Sequence, residues 1–510
     1  MGFCRYALLV GTDLIVNHER PCGARHGEDR RLPGVRWVGK HEEISKVVDV
    51  NWRKWLYFGL VRARGQELGR YYRRFLREVE HGVPADTSPR LLIQLLEHSR
   101  QQVPYYAEVM RALGDSFYDD PMAYLERMPI LTKDIIRTRF EDLKSGDLPQ
   151  RRWFENTSGG STGEPVRLIQ DWDYAVQSGA IKLLFSKLVG KEIGEREVCL
   201  WGSERDIIRG SQEWQARFIN KLTNVTFLNA YLMTPERMRE SIAMLNRDRP
   251  KLIVAYAESL YELARFSERE GLAVAPQTAI ISSAVTLYPV MRETIERVFG
   301  CRVFDRYGSR EVGDIACERP GCDGFWVAPW GCYIEIVDGQ GNRVPDGTEG
   351  EILVTLLSNR AMPLIRYSIG DMGALVPHDD QHSQGEQVLR SLLGKTEDVF
   401  RKSDGTLVES GYFEFMMYFR DWVRSFQVIQ KSYSDIVFRI KKTDASYTPA
   451  ELDEITAYTR LLMGDDCRVS FEFVDDIPAT GSGKHRVAIC EIESIKTRER
   501  PLDLKCQEVF

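Results

Sequence analysis

The 510-residue chain has no excess of positive charge, no long apolar run, and few cysteines and histidines for its length. Its formal net charge of −6 argues against nucleic acid as the main partner, because phosphate binding needs a basic face. No apolar run reaches transmembrane length, and the segment from Tyr6 to Val16 is too short for a secretory signal and is interrupted by Asp13. These absences predict a globular, cytoplasmic protein.

Ten cysteines in so long a chain do not indicate a disulfide scaffold. Cys317, Cys322 and Cys332, with Cys301 nearby, raise the question of a zinc site. Their spacing is not a paired C-x-x-C arrangement, and the eight histidines offer few further ligands. Buried free thiols are therefore the favoured interpretation, and zinc is not expected.

Length and composition predict more than one domain, each with a core of its own. The hydrophobic fraction of 43% and the charged fraction of 28% are typical of globular proteins. We expect a loosely ordered N-terminal extension over residues 1–50, a large domain over 51–393, a small domain over 394–497 and a tail over 498–510.

The large domain begins with a helical lead-in over residues 51–80, where apolar residues recur at roughly helical spacing and arginines fill the remaining positions. Two interpretations compete. The stretch is either an amphipathic helix in weak peripheral contact with an anionic membrane surface, or a helix packed on the protein body with a solvated basic face. Packing on the protein body is favoured, because an apolar stripe along a helix more commonly serves that purpose.

A loop rich in glycine and hydroxyl residues lies between Trp153-Phe154 and the strand-like run Val166–Ile169. It consists of Thr157, Ser158, Gly159, Gly160, Ser161, Thr162, Gly163, Glu164 and Pro165. Glycine lets the backbone approach a ligand closely, and successive N–H groups and hydroxyls can then wrap a polyphosphate. A flexible linker is the competing interpretation, but the ordered segments on both sides disfavour it. The loop lacks the Gly-Lys-Ser/Thr ending of a Walker loop.

After this loop, short apolar runs alternate with helical stretches. The runs are Val198–Trp201, Val225–Leu228, Leu252–Ala255, Ala279–Ile281 and Cys301–Phe304. Apolar strands separated by helices predict an α/β body with a largely parallel sheet. In such sheets ligands bind beyond the carboxyl ends of the strands.

Two strand-associated motifs carry polar and aromatic side chains. Directly after Phe304 come Asp305, Arg306, Tyr307, Gly308, Ser309, Arg310 and Glu311. Tyr307 could stack on a flat ring, Asp305 could accept from an exocyclic amine, and Glu311 could hold a hard cation through oxygen. Further along, Asp371 follows a glycine and is suited to binding paired sugar hydroxyls. Ordinary turns are the competing interpretation of both motifs.

The pattern of predicted elements changes beyond Gly394. Two strands, a helix and a further strand are predicted over Phe426–Gln430, Ile436–Ile440, Pro449–Met463 and Cys467–Val474. They indicate a small α+β domain after a hinge-like segment. Lys484, on a glycine-rich tip of this domain, can reach toward a phosphate. A solvated basic loop is the competing interpretation of this segment.

In this order and at these separations, the motifs resemble those of the adenylate-forming superfamily of acyl-CoA synthetases, peptide-synthetase adenylation domains and luciferases. The chain is most similar to the phenylacetate–CoA ligase family, especially its CapK-like branch, which Val103–Tyr106, Pro129–Lys133 and Phe426–Gln430 also resemble. The match covers roughly Asn51 to Glu493. The resemblance implies a large α/β domain with mostly parallel sheets and a small mobile α+β C-terminal domain.

The resemblance also implies roles for individual residues. Lys484 and Glu311 would be catalytic, with Glu311 holding Mg²⁺, and Glu397 would be the hinge. The ATP- and AMP-binding residues would be Ser158, Gly159, Gly160, Ser161, Thr162, Gly163, Ser283, Ala284, Asp305, Arg306, Tyr307, Gly308, Ser309 and Asp371. The acyl pocket would include Asn229, Tyr231 and Tyr256.

The implied reaction is the ATP-dependent activation of a small carboxylic acid to an acyl adenylate, with release of pyrophosphate and transfer to CoA. ATP, Mg²⁺ and CoA are the implied cofactors, and the protein would be a monomer or homodimer. One alternative is a CapK-like ligase that transfers the acyl group to an amine, alcohol or carrier protein in polysaccharide or natural-product biosynthesis. A catalytically silent binding protein on the same fold is another.

The sequence departs from the family pattern at three positions. Glu164 stands where the family often has lysine, Lys395 where arginine is usual, and Val285 where a glutamate usually follows two small residues. These departures affect the expected contacts to pyrophosphate, to the hinge motif and to adenine. The residues expected to bear the chemistry are present, so an active enzyme is still predicted.

Overall fold

The computed structural model describes residues 51–157, 166–201, 214–230, 233–377, 386–395, 399–404, 407–418, 420, 422–477 and 487–492. The predicted extension over 1–50 and the tail over 498–510 therefore lie outside the described residues, as do residues 158–165 of the glycine-rich loop. Within the described part, no helix is both long and apolar enough to cross a membrane.

The first hundred described residues are helical. The helices are α1 (Trp52–Ala63), α2 (Leu68–His81), α3 (Thr87–Gln102), α4 (Pro104–Leu113), α5 (Pro121–Arg127) and α6 (Lys133–Thr138), with 3₁₀ turns at Ser116–Tyr118 and Leu148–Gln150. Thr132 is the N-cap of α6 and accepts a hydrogen bond from the Ile135 amide at its Oγ1. This bond satisfies one of the free amides at the start of α6.

A two-stranded hairpin carries the glycine-rich loop. Its antiparallel strands are β1 (Trp153–Thr157) and β2 (Arg167–Asp171), and α7 (Trp172–Leu188) follows directly. Asp171 caps α7 by accepting from the Tyr174 amide at 2.8 Å. The ends of the loop are thus held by a paired strand on each side.

Among the described residues, one large sheet of 11 strands forms the body of the protein. Its strands are β3 (Glu197–Leu200), β4 (Val225–Leu228), β5 (Leu252–Tyr256), β6 (Ile280–Ser283), β7 (Val303–Ser309), β8 (Gly313–Glu318), β9 (Phe325–Val327), β10 (Cys332–Val337), β11 (Gly350–Leu356), β12 (Tyr367–Leu375) and β13 (Val388–Lys395). Between the parallel strands run α8 (Trp214–Thr223), α9 (Pro235–Asp248), α10 (Ala257–Arg269) and α11 (Pro289–Phe299).

The sheet has a parallel half and an antiparallel half. Strands β4, β3, β5, β6 and β7 are parallel neighbours, which confirms the strands predicted from alternation with helices. From β7 onward every neighbouring pair is antiparallel, in the order β7-β8-β9-β13-β12-β11-β10. The strand predicted to end at Phe304 continues to Ser309, because β8 pairs with its second half.

The small C-terminal domain is α+β, as predicted. It contains β14 (Val399–Arg401), β15 (Leu407–Glu409), α12 (Gly411–Tyr418), β16 (Val423–Ser432), β17 (Asp435–Lys442), α13 (Pro449–Met463), β18 (Arg468–Phe473) and β19 (Ala488–Cys490). The main sheet has the order β18-β17-β16-β19. The predicted helix has its predicted bounds, and a capping box between Thr448 and Glu451 begins it.

The lead-in helices pack against the body on one face. Tyr57 and Val61 of α1 and Leu68, Tyr72 and Phe75 of α2 are buried in a core shared with α7. The inner faces of both helices are therefore packed on the body, as the packed-helix interpretation of residues 51–80 states. The opposite face of α1 remains exposed.

A buried arginine ties the helical N-terminal segment to the antiparallel half of the sheet. Arg366 Nε donates to both carboxylate oxygens of Glu335, at 3.0 and 3.2 Å, and both side chains are almost fully buried. The Arg366 Nη1 donates to the carbonyls of Glu126 and Met128, and Nη2 donates to the carbonyl of Gly341. One guanidinium therefore satisfies five acceptor oxygens from three parts of the chain.

Replacing Arg366 by methionine is expected to destabilise the protein by about 3–5 kcal/mol, because the buried Glu335 carboxylate loses its cation. Denaturant-induced unfolding of the full chain measures this change. The double variant Arg366→Met/Glu335→Met should lose less stability than the single variant, since no charge is left unpaired. Arg247→Met, at an exposed arginine paired with Asp248, is the matched control and should be near neutral. A single variant as stable as the control would contradict the expectation.

Candidate active site

The first feature of the site is a contact between two distant predicted residues. The Tyr307 hydroxyl on β7 donates a 2.8 Å hydrogen bond to Asp371 Oδ2 on β12. Strands β8, β9 and β13 lie between β7 and β12 in the sheet order, so this contact requires the antiparallel half to curl back on itself. Burial, followed by the nearby Asp371 carboxylate, raises the pKa of Tyr307 well above its usual value. The phenol therefore stays protonated and remains a donor.

Asp305 lies two positions before Tyr307 on the same strand and is 7% exposed. Its backbone amide donates to Glu318 Oε2 at 2.9 Å, and Arg292 Nη2 donates to the other oxygen of Glu318 at 2.8 Å. Burial, and then the negative charge of Glu318, raises the pKa of Asp305 to about 7. The carboxyl can therefore exist in either protonation state near neutral pH.

The raised pKa of Asp305 predicts a pH-dependent stability. The carboxyl has an ordinary value of 3.8 when unfolded and about 7 when folded, so the folded state binds more protons between these limits. Its contribution to stability therefore falls as pH rises from about 4 to 7 and is constant above that range.

Asp305→Asn removes this titration. The variant is expected to gain stability relative to the parent protein as pH rises through this window, as measured by denaturant unfolding at several pH values. A constant difference between the two proteins across the window would contradict the expectation.

Glu311 is connected to the hairpin that carries the glycine-rich loop. Asn156 Nδ2 on β1 donates to the Arg310 carbonyl and to Gln170 Oε1, each at 3.0 Å. Gln170 Nε2 on β2 in turn donates to the Glu311 carbonyl at 3.0 Å. Two amide side chains at the base of the loop thus bind the backbone of the segment that bears Glu311.

Sequence reasoning missed both amides. The available signal for Gln170 is its place directly after the strand-like run Val166–Ile169. The side chain is almost fully buried, and a buried amide needs partners. Asn156 gave no such signal, because an asparagine beside a loop is equally well explained as an ordinary turn residue.

The surroundings of Glu311 suit a hard cation. The Glu311 carboxylate is 8% exposed, and no lysine or arginine of the described residues forms an ion pair with it. The buried Tyr367 hydroxyl has no hydrogen-bond partner among the described residues, and burial together with the charges of Glu311 and Asp371 raises its pKa. No group of three or more His, Cys, Asp or Glu able to hold a metal is present among the described residues. One carboxylate with an unpartnered hydroxyl nearby fits Mg²⁺ that is held mainly by nucleotide phosphates.

Ser283 and Arg306 are paired across β6 and β7. Ser283 Oγ donates to the Arg306 carbonyl at 3.1 Å, and the Arg306 guanidinium lies 3.6 Å from the buried Asp314 carboxylate. Ala284, the next residue after β6, has a φ of +74°. That left-handed conformation is uncommon for alanine and turns the chain sharply at the sheet edge.

The remaining two members of the β7 motif lie at the strand end. Gly308 and Ser309 pair with Asp314 and Gly313 of β8, and Ser309 Oγ accepts from the Glu311 amide at 3.2 Å. The run from Asp305 to Glu311 is thus held by strand pairing and by local hydrogen bonds.

Two cavities lie against the parallel half of the sheet. One, of about 120 Å³, is lined by apolar side chains such as Trp201, Phe227 and Val254, with Arg306 at its edge. The ring of Trp201 lies 4.2 Å from that of Tyr256. The other cavity, of about 290 Å³, contains Asn229 and several methionines. Of the two described residues predicted for the acyl pocket, Asn229 lines the second cavity, whereas Tyr256 is next to the first only through its contact with Trp201.

Several predicted site residues lie outside the described part of the chain. They are Ser158 to Gly163 of the loop, Glu164, Tyr231, Glu397 and Lys484. Lys395 is described only in its backbone, which pairs with Asp371 between β13 and β12. The start of the predicted hinge segment is thus beside the residue predicted to bind ribose.

Two cysteines near the site are buried free thiols. Cys317 and Cys332 are buried, and burial raises the pKa of Cys332 to about 12 and that of Cys317 well above its usual value. Such thiols are unreactive and pack as small apolar side chains.

Comparison with known proteins identifies the class of protein that has this fold. The 2-hydroxyisobutyryl-CoA ligase in the postadenylation state, in complex with R3-HIB-AMP, superposes with a TM-score of 0.56 at 16% identity, covering 79% of this chain and 89% of that one. An open conformation of the same ligase with 2-HIB-AMP and CoA gives a TM-score of 0.51. The chain thus has the fold of the adenylate-forming ligases, and the predicted fold class is confirmed.

Sequence comparison narrows the relationship. Residues 400–491 match the family model of the CapK C-terminal domain. The chain is 22% identical to protein CapK of Staphylococcus aureus over 404 residues, which cover 78% of this chain and 88% of CapK. It is 29% identical to the phenylacetate–coenzyme A ligase of Aromatoleum evansii over 177 residues, which cover 33% of this chain and 39% of that ligase. The resemblance to CapK-like and phenylacetate–CoA ligase proteins is confirmed.

Proposed function

We propose that this protein activates a small carboxylic acid with ATP, forming an acyl adenylate and releasing pyrophosphate. The observation that carries the proposal is the hydrogen bond between Tyr307 and Asp371. It brings together one residue suited to stacking on adenine and another suited to binding ribose hydroxyls, although 64 positions separate them. The attachment of the loop-bearing hairpin to the Glu311 segment supports the same assignment.

Each residue of the site has a defined task in this proposal. The loop from Ser158 to Gly163 binds the phosphates, Tyr307 stacks on adenine, and Asp371 accepts from the ribose hydroxyls. Asp305 accepts from the adenine amine, which its raised pKa permits in either protonation state, because a neutral carboxyl retains an acceptor oxygen. Mg²⁺, when bound at Glu311, neutralises charge on the phosphates. Lys484 stabilises the charge that develops on the α-phosphate.

The second step transfers the acyl group. We propose that the C-terminal domain, over residues 394–497, rotates about Glu397, withdraws Lys484 and admits the acceptor to a site on the large domain, over 51–393. The separate apolar core of the C-terminal domain supports this division. CoA is the proposed acceptor, since a structural neighbour binds both an acyl adenylate and CoA. Both ATP and CoA are consistent with a cytoplasmic reaction.

A second acceptor class has support of its own. The CapK match is longer than the phenylacetate–CoA ligase match, and the C-terminal domain matches the CapK family model. An amine, an alcohol or a carrier protein is therefore the alternative acceptor, in a biosynthetic role.

ATP–pyrophosphate exchange over a panel of aryl, fatty and hydroxy acids tests the proposal, followed by addition of CoA to the best acid. Exchange with thioester formation would support the CoA ligase, and exchange without it would support the alternative acceptor. Glu311→Gln should retain ATP binding but need far more Mg²⁺ for exchange. No exchange with any acid, despite clear ATP binding, would contradict the proposed reaction.

A further inference from the structure

Helix α1 carries apolar side chains on two opposite faces. Tyr57 and Val61 face the protein core and are buried. On the opposite face, Trp52, Trp55 and Leu56 are 59%, 68% and 42% exposed. Gly59 and Ala63 continue this exposed stripe at helical spacing. A surface helix of a globular protein normally presents polar residues on that side, so the outer face of α1 needs an explanation.

Exposed arginines border this face. Residues 51–80 contain eight Lys or Arg and three Glu, whereas the whole chain has a net charge of −6. The exposed arginines run from the end of α1 along α2 and are Arg62, Arg64, Arg70, Arg73 and Arg77. The Arg73 guanidinium lies near Gly69, beside the ring of Phe58 on α1, so the basic surface adjoins the apolar one. Positive charge is therefore concentrated next to two exposed tryptophans.

The helix is also held rigidly in place. Asn51 Nδ2 donates to the Ile193 carbonyl at 2.7 Å, and Lys54 Nζ forms an ion pair with Glu192 at 2.8 Å. Together with the buried inner face, these contacts orient the outer face without any partner. Binding through a preformed surface does not require the helix to fold first.

We propose that the outer face of α1, with the arginines beside it, docks the protein on an anionic membrane surface. Tryptophan is suited to the boundary between headgroups and acyl chains, because its ring is apolar and its N–H is polar. Arginine adds attraction to anionic lipids, and its apolar stem can lie along the interface. The helix would lie flat and leave the rest of the protein in water, in keeping with the finding that no described helix can span a bilayer.

Charge argues against the two other occupants. A self-complementary contact between two copies would bring the same arginines against each other. Residues 1–50 contain eight Lys or Arg and seven Asp or Glu, so they offer no excess negative charge to match the basic surface. An anionic bilayer matches both the apolar stripe and its charged border.

Flotation of the full-length protein with vesicles tests this inference. We expect binding to phosphatidylcholine–phosphatidylglycerol vesicles at low salt, weaker binding at high salt, and little binding to phosphatidylcholine alone. Trp52→Ser/Trp55→Ser/Leu56→Ser should weaken binding by at least roughly tenfold. Replacing Arg62 and Arg73 by glutamine should weaken it roughly fivefold per arginine. The matched control is Tyr458→Ser/Leu461→Ser, which removes side chains 51% and 75% exposed on α13 and should bind normally.

Each remaining outcome would overturn the inference. Absence of binding by the parent protein would do so, as would unchanged binding by the triple variant. Sedimentation of the parent protein as a dimer that the triple variant converts to a monomer would identify α1 as a contact between copies instead. Circular dichroism and thermal unfolding verify that the variants are folded, and pyrophosphate exchange in solution is expected to be unchanged because α1 is not part of the proposed site.

Discussion

Lys484→Ala is expected to lower the rate of ATP–pyrophosphate exchange roughly 10²–10³-fold, the usual effect of removing one preorganised group that stabilises transition-state charge. The carboxylate attacks the α-phosphate and pyrophosphate leaves, so negative charge on the phosphoryl oxygens is greatest in this step. A lysine cation therefore stabilises the transition state of this step most, because the charge develops there. Binding of ATP before the reaction should change much less than the exchange rate.

The same variant separates the two half-reactions. If Lys484 leaves the site before transfer, thioester formation from a supplied acyl adenylate should be nearly normal in Lys484→Ala. Lys431→Ala is the matched control, since Lys431 lies in the same domain and pairs with Glu491 at 2.8 Å. Near-normal exchange by Lys484→Ala, or an equal loss in both half-reactions, would remove this lysine from its proposed role.

The parts of the structure that could be predicted from the sequence are those set by local patterns. Val225–Leu228 and Pro449–Met463 are predicted with their observed bounds, because apolar periodicity and flanking breaks define strands and helices. The strand that bears Asp305 extends to Ser309 and not only to Phe304. Its second half is polar, and it is extended because it pairs with β8, which follows after only three residues.

The structure adds pairings that no local pattern specifies. The bond from Tyr307 to Asp371 depends on the curl of the sheet, and the roles of Asn156 and Gln170 depend on where two distant backbone carbonyls lie. Arg366 lies five positions before Asp371 in the sequence. The structure makes it a buried anchor for the N-terminal helices. Each of these contacts joins segments far apart in sequence, so only the folded arrangement specifies it.

Asp371→Ala is expected to lower kcat/KM for ATP in the exchange reaction roughly 10²-fold, because hydrogen bonds to a charged acceptor contribute about 1.5–3 kcal/mol each. This variant also leaves the buried Tyr307 hydroxyl without its 2.8 Å acceptor. Part of the loss could then come from a disturbed tyrosine and not from the lost ribose contact. Asp371→Ala/Tyr307→Phe removes the unpaired hydroxyl and isolates the contribution of the carboxylate.

Tyr307 itself distinguishes a stacking role from a purely structural one. Tyr307→Phe keeps the ring and frees Asp371 from its donor, so the KM for ATP should change little. Tyr307→Leu keeps apolar volume but loses the aromatic face, and the KM should rise roughly 2- to 12-fold, the range of an aromatic contact of about 0.5–1.5 kcal/mol. Inhibition of the exchange reaction by AMP and by ribose 5-phosphate measures the same two contacts separately. If Tyr307 stacks on adenine, Tyr307→Leu weakens AMP and leaves ribose 5-phosphate unchanged, whereas Asp371→Ala weakens both. Equal weakening of both competitors by Tyr307→Leu would mean that the tyrosine acts only by holding Asp371.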